Sequence, residues 1–109
     1  MAPRLATSVI VGGLIRQAET EGGFAAVLAK GDADAGSIIV ILAQRGAEPS
    51  IHERVLQPDG SYAWSEAPAG SEAVGDFIAR RRRFDPDIWV LELDVPSRQR
   101  FADEMKAFD

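Results

Sequence analysis

Apolar positions near the start of the chain recur at helical spacing: Val11, Leu14, Ile15 and Ala18 fall at i, i+3, i+4 and i+7 and form one stripe. Thr7 or Ser8 stands before the stripe as a capping residue and Gly22 and Gly23 follow it, so the spacing predicts a helix ending near Glu21. Gly12 and Gly13 interrupt it at about 1 kcal/mol each relative to alanine, a cost that close packing against a neighbour would justify. The period then changes. Phe24 to Lys30 and Ser37 to Gln44 are apolar runs separated by GDADAG, and they read as an antiparallel pair of strands. Ile38 to Leu42 are consecutive β-formers without polar alternation, which calls for cover on both faces, by helices on each side of the sheet or by a partner subunit. Ile51 to Leu56 and Ser61 to Ser65 flank the turn sequence QPDGS and read as a hairpin.

A second helix is expected from about Ser71 to Arg82, with Ser71 as cap and Val74, Phe77 and Ile78 facing inward. Asp85, placed before Pro86, is biased out of the helical region. In the last strand, Ile88 to Val95, the residues Trp89, Leu91, Leu93 and Val95 share one face, while Glu92 and Asp94 point the other way. Pro96 and Ser97 open a final helix carrying Phe101, Met105 and Phe108. The order helix, four strands, helix, strand, helix predicts an α+β fold: a mainly antiparallel sheet of about five strands with three helices packed on it.

Composition narrows the classes of function. The 109 residues fit one domain spanning 1–109, and an apolar content of 46% with 27% charged residues is that of a globular protein with a real core. A formal charge of −5 opposes general attraction to nucleic acid or an anionic membrane, so any such contact has to be local. No segment approaches the roughly 20 apolar residues of a membrane span. The run Val9 to Ile15 is short, contains two glycines and lacks a cleavage pattern, which makes the cytoplasm the expected location. Absence of cysteine removes disulfides, thiolate metal sites and a cysteine nucleophile.

The candidate chemistry is sparse. Arg80, Arg81, Arg82 and Arg83 close the second helix, where unpaired carbonyls and the negative end of the dipole favour cations by roughly 0.3 to 1 kcal/mol each. Consecutive residues point about 100° apart, so the four cannot all face one ligand. Arg81 falls on the apolar stripe, with its head expected near an acid, and Asp85, Asp87, Glu92 and Asp94 follow closely enough to cancel the run. Asp32 and Asp34 alternate as in a calcium loop, but Gly36 comes one position early and Leu42 stands where the glutamate is needed, so no metal and no cofactor are expected. His52, the only histidine, lies on a strand beside Glu53 and Arg54 and reads as a surface or pairing residue rather than a general base. Ser61, Ser65 and Ser71 stand in turn or cap contexts without a nucleophile elbow. Trp89 reads as core, whereas Tyr62 and Trp64 share a face of the hairpin and form a candidate sticky surface.

Two segments, GGFAAVLAKGDADAGSIIV and RFDPDIWVLELD, resemble the signature regions of a small bacterial family, domain of unknown function 1491. The resemblance runs over nearly the whole chain, from the first helix with Arg16 through Gly22-Gly23-Phe24 and the Gly36 strand to Phe84-Asp85-Pro86-Asp87 before Trp89. It implies no activity or ligand. Three functional readings follow from the residues themselves. The first is a non-catalytic interaction module, self-associating or bound to a protein partner, that uses the sheet near Tyr62 and Trp64. The second is an anion or nucleic-acid phosphate binder gripping with Arg80 to Arg83 and with Arg16. The third is an enzyme with His52 as base.

Overall fold

The computed structural model describes residues 5–67 and 72–108. Helix α1 (Thr7–Thr20) is followed by strands β1 (Phe24–Ala29), β2 (Ile38–Gln44), β3 (Ser50–Leu56) and β4 (Tyr62–Glu66), then α2 (Val74–Phe84), β5 (Trp89–Val95), α3 (Arg98–Met105) and a 3₁₀ turn (Lys106–Phe108). The fold is α+β, with the predicted order and one five-stranded sheet, β1-β5-β2-β3-β4. Every pairing is antiparallel except β2 with β5.

That parallel pair corrects the expectation that β1 and β2 are neighbours. They do run antiparallel to each other, but β5 lies between them, hydrogen-bonded to both. The reason is burial. β2 is apolar on both faces and β5 is buried along one face and at Val90 on the other, and placing them side by side at the centre leaves the more exposed β1 at the edge. Residues 30–37 bridge the gap of two strand spacings, roughly 10 Å.

Helices cover both faces of the sheet, so the central strand needs no second subunit for its cover. On one face Ile10, Val11, Leu14 and Ala18 of α1 and Phe101 and Met105 of α3 pack on Ile38, Val40 and Leu42 and on the row Trp89, Leu91, Leu93 and Val95. On the other, Val74, Phe77 and Ile78 of α2 pack on Ile39, Ile41, Ile88 and Val90. No described helix is long and apolar enough to cross a membrane.

Neither Thr7 nor Ser8 caps α1. The N-cap is Ala6, which has no side-chain bond to give, and the exposed amides are satisfied from elsewhere in the chain: Thr7 N donates to Asp34 O (3.3 Å) and Ser8 N to Ala33 O (3.0 Å). The GDADAG loop is shaped for this. Asp32 Oδ1 accepts from Asp34 N (2.8 Å) and Ala35 N (3.0 Å), closing the loop on itself. The loop is anchored in turn to the second signature segment, because Asp32 N donates to Asp87 O (3.0 Å) and the Trp89 indole Nε1 donates to Asp32 O (2.7 Å). Gly31 and Gly36 stand where a Cβ would run into the Asp87 carbonyl. For α2 the N-cap is Ala73, and Ser71, the expected cap, lies outside the described residues. Ser97 does cap α3, accepting from Arg100 N.

Candidate functional site

The four arginines occupy the end of α2, but they differ in what they touch. Arg80 donates to Glu72 through Nε (3.2 Å) and Nη2 (2.9 Å) and lies over the Phe77 ring. Glu72, held by this guanidinium, has its carboxyl below the ordinary range. Arg81, on the inward stripe, pairs with Glu53 of β3, and both side chains are largely shielded. The partners are thus Glu72 and Glu53, not the acids that follow in sequence. Asp85 instead accepts from Asp87 N, and Asp94 accepts from Gly46 N (2.8 Å). Arg82 and Arg83 are exposed, and among the described residues neither has an ion-pair partner. Arg16 is exposed on α1, on the other face of the sheet, and is not brought together with them.

His52 is buried. It is paired with Val40 across the ladder, so it shares the face that carries α1 and α3. Its Nε2 lies 2.8 Å from Ser50 Oγ and 3.9 Å from Glu66 Oε1. Burial lowers its pKa, Glu66 works against that, and Arg98 adds to it. Serine, histidine and acid are therefore together, a cluster that the sequence did not advertise because Ser50 and Glu66 meet His52 only through the β2-β3-β4 register. The arrangement lacks a relay all the same. Serine and acid both approach Nε2, whereas relay of a proton needs them on opposite ring nitrogens.

Tyr62 and Trp64 share a face, as the alternation requires, and that face is the inner one. Trp64 is half-buried against the main core, and Tyr62 lies beneath the guanidinium of Arg54, whose Cζ is 4.1 Å from the ring centroid. Large apolar side chains are exposed instead on β1, the strand at the opposite edge: Phe24 is 78% exposed, Val27 46% and Leu28 50%. These residues are visible in the sequence as an uncharged run, but the edge position that exposes them depends on β5 entering between β1 and β2.

Between β3 and the start of α2 runs a groove of about 630 Å³, to which Glu48, Glu66, Glu72, Arg80 and Arg98 contribute charges of both signs. Arg80 there is engaged by Glu72, and Arg98 donates to the Glu48 carbonyl (2.7 Å).

Comparison with known proteins places this geometry. A family model described as "Protein of unknown function (DUF1491)" matches residues 5–103. The crystal structure of a DUF1491 family protein from Caulobacter crescentus CB15 is 33% identical, with a TM-score of 0.78 over 90% of this chain and 94% of that one. An NMR structure of a DUF1491 family protein from the same organism gives 35% identity and a TM-score of 0.77, covering 92% and 94%. The solution structure of a protein from A. tumefaciens gives 30% and 0.73, covering 87% and 89%. Among curated proteins there is no match.

Proposed function

The chain belongs to the DUF1491 family, a membership that brings no activity with it, and we propose that it acts as a non-catalytic interaction module that pairs with a second copy of itself along the free edge of β1. The observation that carries this reading is the character of that edge. From Phe24 to Ala29 there is no charged or proline residue, and Phe24, Val27 and Leu28 are exposed. Edge strands left in this state are templates for pairing, and proteins ordinarily blunt them with lysine, proline or bulges. The only such device here is a bulge between Val27 and Ala29, which leaves Phe24 to Val27 regular. Two copies meeting antiparallel about a twofold axis would place identical neutral strands together. The acids paired with β1 on its inner side, Glu92 and Asp94 of β5, would then be three strand spacings from those of the other copy, about 14 Å, beyond the screening length of roughly 8 Å at physiological salt. We place this activity in the cytoplasm.

Sedimentation equilibrium tests it. A dimer is expected, and Phe24→Lys or Leu28→Lys should return the protein to monomer without changing its secondary structure. A strict monomer up to about 1 mM, where an association of only −4 kcal/mol would register, ends the reading.

Anion binding by the arginine end of α2 is a second reading, supported at Arg82 and Arg83 by their exposure and lack of described partners. It predicts anisotropy changes with labelled nucleic acid at about 50 mM salt that fade by 200 mM. Binding that survives Arg82→Ala with Arg83→Ala would remove it.

A further inference from the structure

Ser50 opens β3 and lines the groove of about 630 Å³ between that strand and the start of α2, a volume within the range of small-molecule sites. Its Oγ lies 2.8 Å from Nε2 of the buried His52, two residues along on the same face of the strand. The other described contact of this hydroxyl, the Leu42 carbonyl, stands at 3.5 Å, the outer limit of a hydrogen bond, so the hydroxyl proton is directed at the imidazole. Burial favours the neutral ring, which leaves Nε2 with a lone pair to receive that proton. Among the described residues two charged groups bear on the ring: Glu66 of β4, 3.9 Å from Nε2, and Arg98 of α3, which also lines the groove.

We propose that Ser50 is an acyl-acceptor site, taking an acyl group from a thioester bound in this groove, with His52 as the base. Oγ attacks the carbonyl carbon and its proton passes to Nε2. The tetrahedral intermediate then collapses with cleavage of the carbon-sulfur bond; the thiolate leaves with the electron pair and takes the proton from His52, so the products are an ester at Ser50 and a free thiol. The Arg98 guanidinium on the wall favours the oxyanion while it exists. Pro49, Ile51, Val74 and Phe77 give the acyl chain an apolar surface, whereas Glu48, Glu66 and Glu72 oppose the charge of an acyl phosphate. The reaction stops at the ester. A thiolate departs with little help, but release of the acyl group to water must expel the serine alkoxide, which needs an imidazolium as acid, and no carboxylate among the described residues supports Nδ1. The ester is thus a modification of the module rather than a step of turnover, and it stands or falls independently of pairing at β1.

The test incubates the full chain with the acetyl thioester of N-acetylcysteamine and reads released thiol, for which a chain without cysteine gives no background. A burst of thiol equal to the chain concentration is expected, with the acetyl group located on Ser50 by peptide mass mapping and absent from that peptide in Ser50→Ala. His52→Gln should slow acylation by about 100-fold or more, the ordinary contribution of a positioned base. The rate should rise as His52 loses its proton, with a midpoint below pH 6.5, and then level. Because changes at Ser50 and His52 can disturb the fold, two variants on the groove wall carry the test independently: Glu66→Gln should lower the midpoint and Arg98→Gln should raise it. A purely structural bond between Ser50 and His52 would produce neither shift. The proposal is overturned if Ser50 stays unmodified, if its rate climbs with hydroxide without a plateau, if either midpoint stays in place, or if a folded His52→Gln protein reacts as the parent does. Faster transfer to Ser50 from acetyl phosphate would equally overturn the assignment to thioesters.

Discussion

Gly12 and Gly13 sit side by side in α1 and yet occupy different surroundings. A Cβ on Gly13 would come within 2.7 Å of the Phe108 ring, whereas one on Gly12 would meet only the end of the Arg16 side chain at 3.3 Å, which can swing aside. Gly12→Ala should therefore stabilise the protein by about 0.5 to 1 kcal/mol, the ordinary helical gain. Gly13→Ala should destabilise it, because overpacking costs about 1 to 3 kcal/mol. Urea denaturation distinguishes them, and in a Phe108→Ala background Gly13→Ala should become stabilising; equal stability of the two single variants would contradict this account. His52 supplies a prediction in pH. Its folded pKa lies below the unfolded value of 6.5, so the unfolded chain takes up the proton first. The stability tied to neutral His52 is complete above about pH 6.5 and drains away as pH falls through the folded value. Asp32 and Asp59, both shifted down by hydrogen bonds, lose their contributions in the lower carboxylate range. The urea midpoint should thus fall more steeply between about pH 7 and 5 in the parent than in His52→Gln, and parallel curves would show that His52 does not titrate on unfolding.

At the level of elements, α2 separates the readings of a charge run most cleanly. Its inner residues Val74, Phe77 and Ile78 are only half-buried, so the ion pair between Arg81 and Glu53 is a substantial part of what seats the helix on the sheet. Arg81→Ala would leave Glu53, whose side chain is 14% exposed, without that partner, and should cost about 1 to 3 kcal/mol. Arg82→Ala and Arg83→Ala should change stability by no more than about 0.5 kcal/mol. Chemical denaturation of the three variants decides it; equal losses would mean that the run acts through the helix end as a whole. The inward placing of Arg81 was legible from its spacing after Val74 and Ile78. Its partner was not, because Glu53 lies on a strand far away in sequence, and proximity along the chain pointed to Asp85 and Asp87 instead.

Across the whole molecule, the two signature segments turn out to be one junction. The loop holding Asp32 and Asp34 is clamped to the Asp85–Ile88 turn and to Trp89, and it offers its carbonyls to the start of α1. Gly31 has no room for a side chain between the Asp87 carbonyl and the Trp89 ring. Gly31→Ala should consequently cost more than about 2 kcal/mol and alter tryptophan fluorescence, while Gly46→Ala, a turn glycine with φ +76 and open space around it, should alter stability without the fluorescence change. Fluorescence unchanged in Gly31→Ala would place Trp89 outside this junction.

The sequence by itself determined the elements, because periodicity and turn chemistry are local: three helices, five strands, their order, the inward rows of α2 and β5, and the burial of Trp89. It also determined that β2 must be covered on both faces. Only the tertiary structure decided which strands are neighbours, since the insertion of β5 between β1 and β2 is a competition among strands for the centre of the sheet. From that choice follows the exposed edge at β1; the inward turn of Tyr62 and Trp64 and the burial of His52 and Arg54 follow from the β2-β3-β4 register, and the capping of α1 from the loop between β1 and β2. Pairing across the sheet sets which face each side chain meets, and no local pattern carries that information.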